Sequence, residues 1–93
     1  MVTYLMFGTL TPEATKAISA QRTDESLAII KKYGGEFKAA YALLGDVDYV
    51  VIVDLPDTER AMQTSVALTK LLGIPFRTAP AVSMDAFDKL MAA

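Results

Sequence analysis

The chain has 93 residues, 53% of them apolar, with 9 Lys and Arg against 11 Asp and Glu for a net charge of −2. It holds no cysteine and no histidine, which excludes disulfides, thiolate- or imidazole-ligated zinc, His-ligated haem, and Ser-His or Cys-His catalysis within the chain. A mean hydropathy of +0.33 is too apolar for disorder and high for so small a domain, so the surplus needs cover beyond one core, and self-association is the simplest source of it.

The basic residues are scattered, and only Lys31-Lys32 are adjacent. No stripe exists that would neutralise a run of phosphates, so no nucleic-acid partner is expected. No apolar run approaches the ~20 residues of a membrane span, and no charged-then-apolar leader opens the chain. The expectation is therefore one cytoplasmic domain, residues 1–93, with no membrane partner.

Val2 to Leu10 reads as a first strand with bulk on both sides, Val2, Tyr4 and Met6 on one and Leu5 and Phe7 on the other. Such a strand is covered on both faces, and Gly8 marks a bulge or a close approach. Thr11-Pro12-Glu13 opens a helical region with a cap, a first-turn proline and an acid at the positive end of the dipole. The region runs to about Tyr33. Its polar stretch Ser19 to Asp24 predicts a break near residues 20–24, with Thr23 or Asp24 capping a second segment that carries Leu27, Ile30 and Tyr33. Gly34-Gly35 ends it.

Glu36 to Leu44 is the second strand, with Phe37, Ala39, Tyr41 and Leu43 on one side. Gly45 to Asp48 supplies a turn. Tyr49 to Asp54 follows, and its unbroken Val50-Val51-Ile52-Val53 run places it centrally, covered on both faces. Asp57 caps the next helix, with Glu59 in its first turn. Ala61, Ser65, Leu68 and Leu72 form its apolar face, which Met62 and Val66 widen, and Gly73 stops it. Ile74 to Val82 is a fourth strand. Pro75 and Pro80 put it at an edge or a bulge. Ser83 caps a tail helix, Met84 to Met91, with Met84, Phe87, Leu90 and Met91 on one side.

The order is βαββαβ plus a tail helix. That predicts an α+β, ferredoxin-like fold, with a four-stranded antiparallel sheet and helices on one face. The two-sided apolar strands imply that the other face meets a second copy or another cover.

Chemistry-bearing residues are sparse. Asp46, Asp48, Asp54, Asp57 and Glu59 read as turn and cap residues, because a hard cation needs several converging oxygens; no metal or other cofactor is expected. Tyr4, Tyr41 and Tyr49 lie on strands, where an aromatic body with a polar tip suits a core, an interface or a pocket wall. Arg77 sits on the fourth strand among few charges and suits bidentate contact with a carboxylate, from a partner or a ligand. Asp48 beside the valine run would serve as a general base if burial raised its pKa; capping the hairpin is its structural role. Gly34-Gly35 has neither phosphate-loop pattern. The candidate ligand-binding set is Tyr4, Tyr41, Asp48 and Arg77, with no catalytic constellation.

The stretch Gly45-Asp46-Val47-Asp48-Tyr49 through Asp57 resembles the characteristic segment of the GYD domain family. Thr9 to Glu13, Gly34-Gly35 and Arg77-Thr78 fit the same pattern, so the resemblance runs along nearly the whole chain. The tyrosine of the family's motif falls on Val47 here, while Gly45 and Asp48 are kept. The resemblance implies a dimeric α+β barrel type of domain and no known activity. A similar hairpin occurs in the ligand-binding, oligomerising domains of Lrp/AsnC-like regulators, which implies a small molecule held at or near a subunit interface. The expected function is a homo-oligomeric, metabolite-binding domain without catalysis. The rivals are a cofactor-independent dimeric-barrel enzyme (isomerase, decarboxylase or oxygenase) using Tyr4, Tyr41, Asp48 and Arg77, and a purely structural assembly partner.

Overall fold

In the computed structural model, which describes residues 1–92, four strands form one antiparallel sheet in the order β2-β3-β1-β4. The strands are β1 (Val2–Gly8), β2 (Glu36–Ala42), β3 (Tyr49–Leu55) and β4 (Phe76–Ala81). The helices are α1 (Pro12–Lys16), α2 (Ala20–Lys32), α3 (Thr58–Leu72) and α4 (Met84–Ala92). This is the ferredoxin-like plan, with the helical region after β1 divided in two.

The division comes earlier than the propensities predict. α1 ends at Ala17, and Ser19, not Thr23 or Asp24, caps α2 by accepting the Arg22 N–H at 3.2 Å. A capping hydroxyl on extended backbone starts a helix wherever it occurs, so the polar residues that follow lie inside α2. The other caps fall where expected. Thr11 caps α1, Asp57 caps α3, and Ser83 Oγ accepts the Ala86 N–H at 3.1 Å before α4.

Register assigns each strand residue to a face. Tyr4, Met6, Val53 and Leu55 face the helices and are buried with Ile30, Ala61 and Leu68. Gly8 also faces inward, and a Cβ there would sit 2.8 Å from Phe76 Cε1 and 3.2 Å from Ile74 Cδ1, which is the close approach that requires glycine. Thr64 is a core residue that the α3 pattern did not mark; its hydroxyl donates to the Arg60 carbonyl at 2.8 Å, which satisfies it without a partner outside the helix. Met62 and Val66, expected to widen the apolar face, instead point outward.

Strand β2 departs from regular alternation. Its register against β3 shifts between Phe37 and Ala39, leaving Lys38 as an extra residue. Phe37 therefore joins the helix side, opposite Val53, while Ala39 and Tyr41 lie on the other side. The expectation that Phe37 and Tyr41 share a face fails for that reason. α4 has no buried residue, and Met84, Phe87, Leu90 and Met91 are all exposed.

Candidate functional site

The sheet's helix-free face is built from three cross-strand rows. Tyr41, Val50, Phe7 and Arg77 form the first, and Ala39, Ile52, Leu5 and Ala79 the second. Glu36, Asp54, Thr3 and Ala81 form the third. The first two rows are apolar but for Arg77 and the Tyr41 hydroxyl. The third carries a charge cluster: the Thr3 hydroxyl donates to Asp54 Oδ1 at 2.6 Å, and Lys38 Nζ lies 3.3 Å from both Asp54 and Glu36 carboxylate oxygens. The Thr3 hydroxyl bond, with Lys38 beside it, holds the Asp54 carboxyl below its usual value. Bonds to Asp54 and then Glu36 raise the Lys38 ammonium. In a single chain this face is uncovered.

The opposite side holds a cleft of about 170 Å³ between the sheet, α1, α2 and the end of α3. Its floor is formed by Tyr49 and Phe76, which share one cross-strand row, and by Ala40 and Val51, which share the next. Small residues border the space: Ala40 below, Ala14 and Ala17 above. The Phe76 ring leans over Gly8 and forms part of the wall. Leu27, Ile30, Leu68 and Ile74 complete an apolar lining.

One part of the rim is polar. Ser19, Arg22, Thr23 and Ser26 come from the first two turns of α2. Their hydroxyls are turned onto the helix backbone, Ser19 Oγ accepting from Arg22 N, Thr23 Oγ1 donating to Ser19 O and Ser26 Oγ donating to Arg22 O at 2.8 Å. The Arg22 guanidinium donates through one NH group to the Leu71 carbonyl at the end of α3.

The four residues singled out in the sequence are spread over the fold. Tyr4 is buried beneath the helices, 4% exposed. Tyr41 and Arg77 end the same row on the open face, on the two outer strands and three strand spacings apart, ~14 Å. Asp48 does not cap its own hairpin: its Oδ2 accepts the Leu10 N–H at 2.6 Å, while its backbone N–H donates to the Gly8 carbonyl at 2.9 Å. It fastens the hairpin to the β1–α1 loop. None of the four lines the cleft; Tyr49, Arg22 and Phe76 do. Arg22 was missed because an arginine in a polar helical turn reads as solvated, and the fold alone brings it to an apolar hollow. Among the described residues no cluster of acids is placed to hold a metal ion, and no helix is long and apolar enough to cross a membrane.

The hairpin, its glycine at φ 142° and its anchoring aspartate are the segment that the sequence resemblance rested on. The GYD domain family model matches residues 4–91. The chain belongs to the GYD domain family. Among curated proteins none matches it in sequence. The fold of this GYD domain is shared with solved regulators. The Mycobacterium tuberculosis leucine response regulatory protein LrpA is 14% identical with a TM-score of 0.60, over 88% of this chain and 51% of that one. A crystal structure described as a transcriptional regulator is 14% identical with a TM-score of 0.65, over 89% and 51%. The feast or famine regulatory protein of M. tuberculosis, solved in complex with L-methionine, is 14% identical with a TM-score of 0.60, over 89% and 51%. The GYD domain thus spans about half the length of these proteins, and at this identity the likeness concerns the fold.

Proposed function

We propose that this GYD domain is a self-associating module that binds a small metabolite and does not transform it. The observation that carries this reading is the cleft. Protein interiors pack with few voids larger than a water molecule, and a hollow of about 170 Å³ walled by Leu, Ile and Phe side chains is the form a small-ligand site takes. The open face supplies the second half of the reading. Two apolar rows across four strands fit a second copy laid face to face. The two features are one strand layer apart: Tyr49 and Phe76 line the cleft, and their chain neighbours Val50 and Arg77 lie on the open face. A ligand would sit near a subunit interface without being part of it. The methionine complex of a regulator with this fold supports a metabolite as the ligand.

Binding is favoured over catalysis because Tyr4, Tyr41, Asp48 and Arg77 share no cavity, and Asp48 is engaged with a backbone amide. The test is thermal unfolding against a metabolite panel, together with equilibrium sedimentation at micromolar concentration. A ligand at a hundred times its Kd adds about 2.7 kcal/mol, a rise on the order of 10 °C for a domain this small. A strict monomer whose melting temperature no metabolite raises would overturn the proposal.

A further inference from the structure

Building on the metabolite-binding reading, the geometry points to a ligand class: we infer that the cleft takes an apolar carboxylic acid, its chain among the apolar side chains and its carboxylate on Arg22, in preference to the α-amino acid with the same side chain.

The argument is one of charge. Among the described residues that line the cleft, Arg22 is the one charged side chain. A guanidinium has five N–H donors in a planar fork, and the one bond it makes here goes to the neutral Leu71 carbonyl. No carboxylate forms an ion pair with it among the described residues. A half-buried cation beside an apolar wall, with donors to spare and no counter-charge, is matched by an anion, and the planar fork suits a carboxylate. The Thr23 and Ser26 hydroxyls spend their O–H on the α2 backbone, and Ser19 Oγ accepts the Arg22 N–H, so Arg22 is the strongest donor that the rim presents.

The same inventory argues against an ammonium group. An α-amino acid brings a cation next to its carboxylate, and the lining offers no Asp or Glu to receive it. That cation would lie close to the like-charged Arg22, with only neutral hydroxyl oxygens of the rim to receive it. The size of the space favours a compact molecule, on the order of a dozen non-hydrogen atoms at about 10–15 Å³ each. A branched aliphatic or single-ring acid fits that description.

The experiment is calorimetric titration of the intact chain with three probes of one shape: 4-methylpentanoate, its neutral amide, and L-leucine. The acid is expected to bind at least about tenfold more tightly than either of the others, the range a charge-assisted contact supplies. Arg22→Gln should remove that preference and leave the amide's affinity unchanged, and Arg22→Lys should retain part of it. Ala14→Leu, which fills the cleft and leaves Arg22 in place, should weaken the acid and the amide alike. Equal binding of acid and amide, or tightest binding of leucine, would overturn the acid assignment. If those probes still respond to Ala14→Leu, the metabolite-binding reading survives it. If no probe binds, the acid assignment falls, and the wider thermal panel decides the broader reading separately.

Discussion

Replacing Ile52 with lysine puts the open face to a quantitative test. Ile52 stands in the middle row of that face, opposite Leu5 on β1 and Ala39 on β2, and is half-buried in a single chain. Within one chain the lysine keeps its ladder hydrogen bonds and leads its ammonium to water, so the monomer loses about 1 kcal/mol at most. Between two copies the outcome differs. Full burial of an isoleucine is worth about 1.5–3 kcal/mol; with Ile52 already half-buried, pairing adds about half of that, once per copy under two-fold symmetry. Association should weaken by about 1.5–3 kcal/mol, or roughly a factor of 10 to 10² in Kd. Equilibrium sedimentation across the micromolar range reads this, with circular dichroism and urea unfolding confirming that the variant is folded. A folded Ile52→Lys protein that associates as tightly as the parent would show that this face is not where copies meet.

Asp48→Ala leaves the Leu10 amide without its carboxylate acceptor and should cost about 1.5–3 kcal/mol, seen as a lower urea midpoint and faster hydrogen exchange at the Leu10 amide. The cluster of Thr3, Lys38 and Asp54 makes stability depend on pH at both ends. Because the folded Asp54 carboxyl lies below its ordinary value of 3.8, its contribution is complete above that value and disappears as pH falls through the folded one. Because the folded Lys38 ammonium lies above 10.5, its contribution is complete below that value and is lost as pH rises through the folded one. Urea midpoints across pH should show both slopes in the parent, and Asp54→Asn should flatten the acid slope and reduce the alkaline one, which Glu36 still supports.

The fold was legible because its signals are local. Alternating bulk in β1 separated Tyr4 and Met6 from Leu5 and Phe7, and the caps Thr11, Asp57 and Ser83 marked three helix starts. The unbroken Val50 to Val53 run belongs to a strand that has neighbours on both sides. What escaped depended on tertiary placement. One extra residue at Lys38 separates the faces of Phe37 and Tyr41, and no composition rule announces it. Met62 and Val66 sit beside the apolar stripe of α3 in sequence, yet Thr64 takes the buried place because its hydroxyl can bond within its own helix. The cleft was invisible because it is a space bordered by residues far apart in the chain, the small Ala14, Ala17 and Ala40 among them. Gly8, which drew notice, sits against the Phe76 ring as a packing contact. Arg22 was legible only as a charge, since what gives it chemical interest is the apolar wall opposite.

The irregularity at Lys38 also bears on how sheets of this kind avoid stacking side by side into fibrils. β2 and β4 form the sheet's two margins, where unpaired peptide groups invite another strand to add on. On one margin the bulge and its lysine bend and charge the strand; on the other, Pro80 lacks an N–H to offer. Lateral growth is discouraged at each margin, whereas the face-to-face pairing proposed above for the open rows would close on itself.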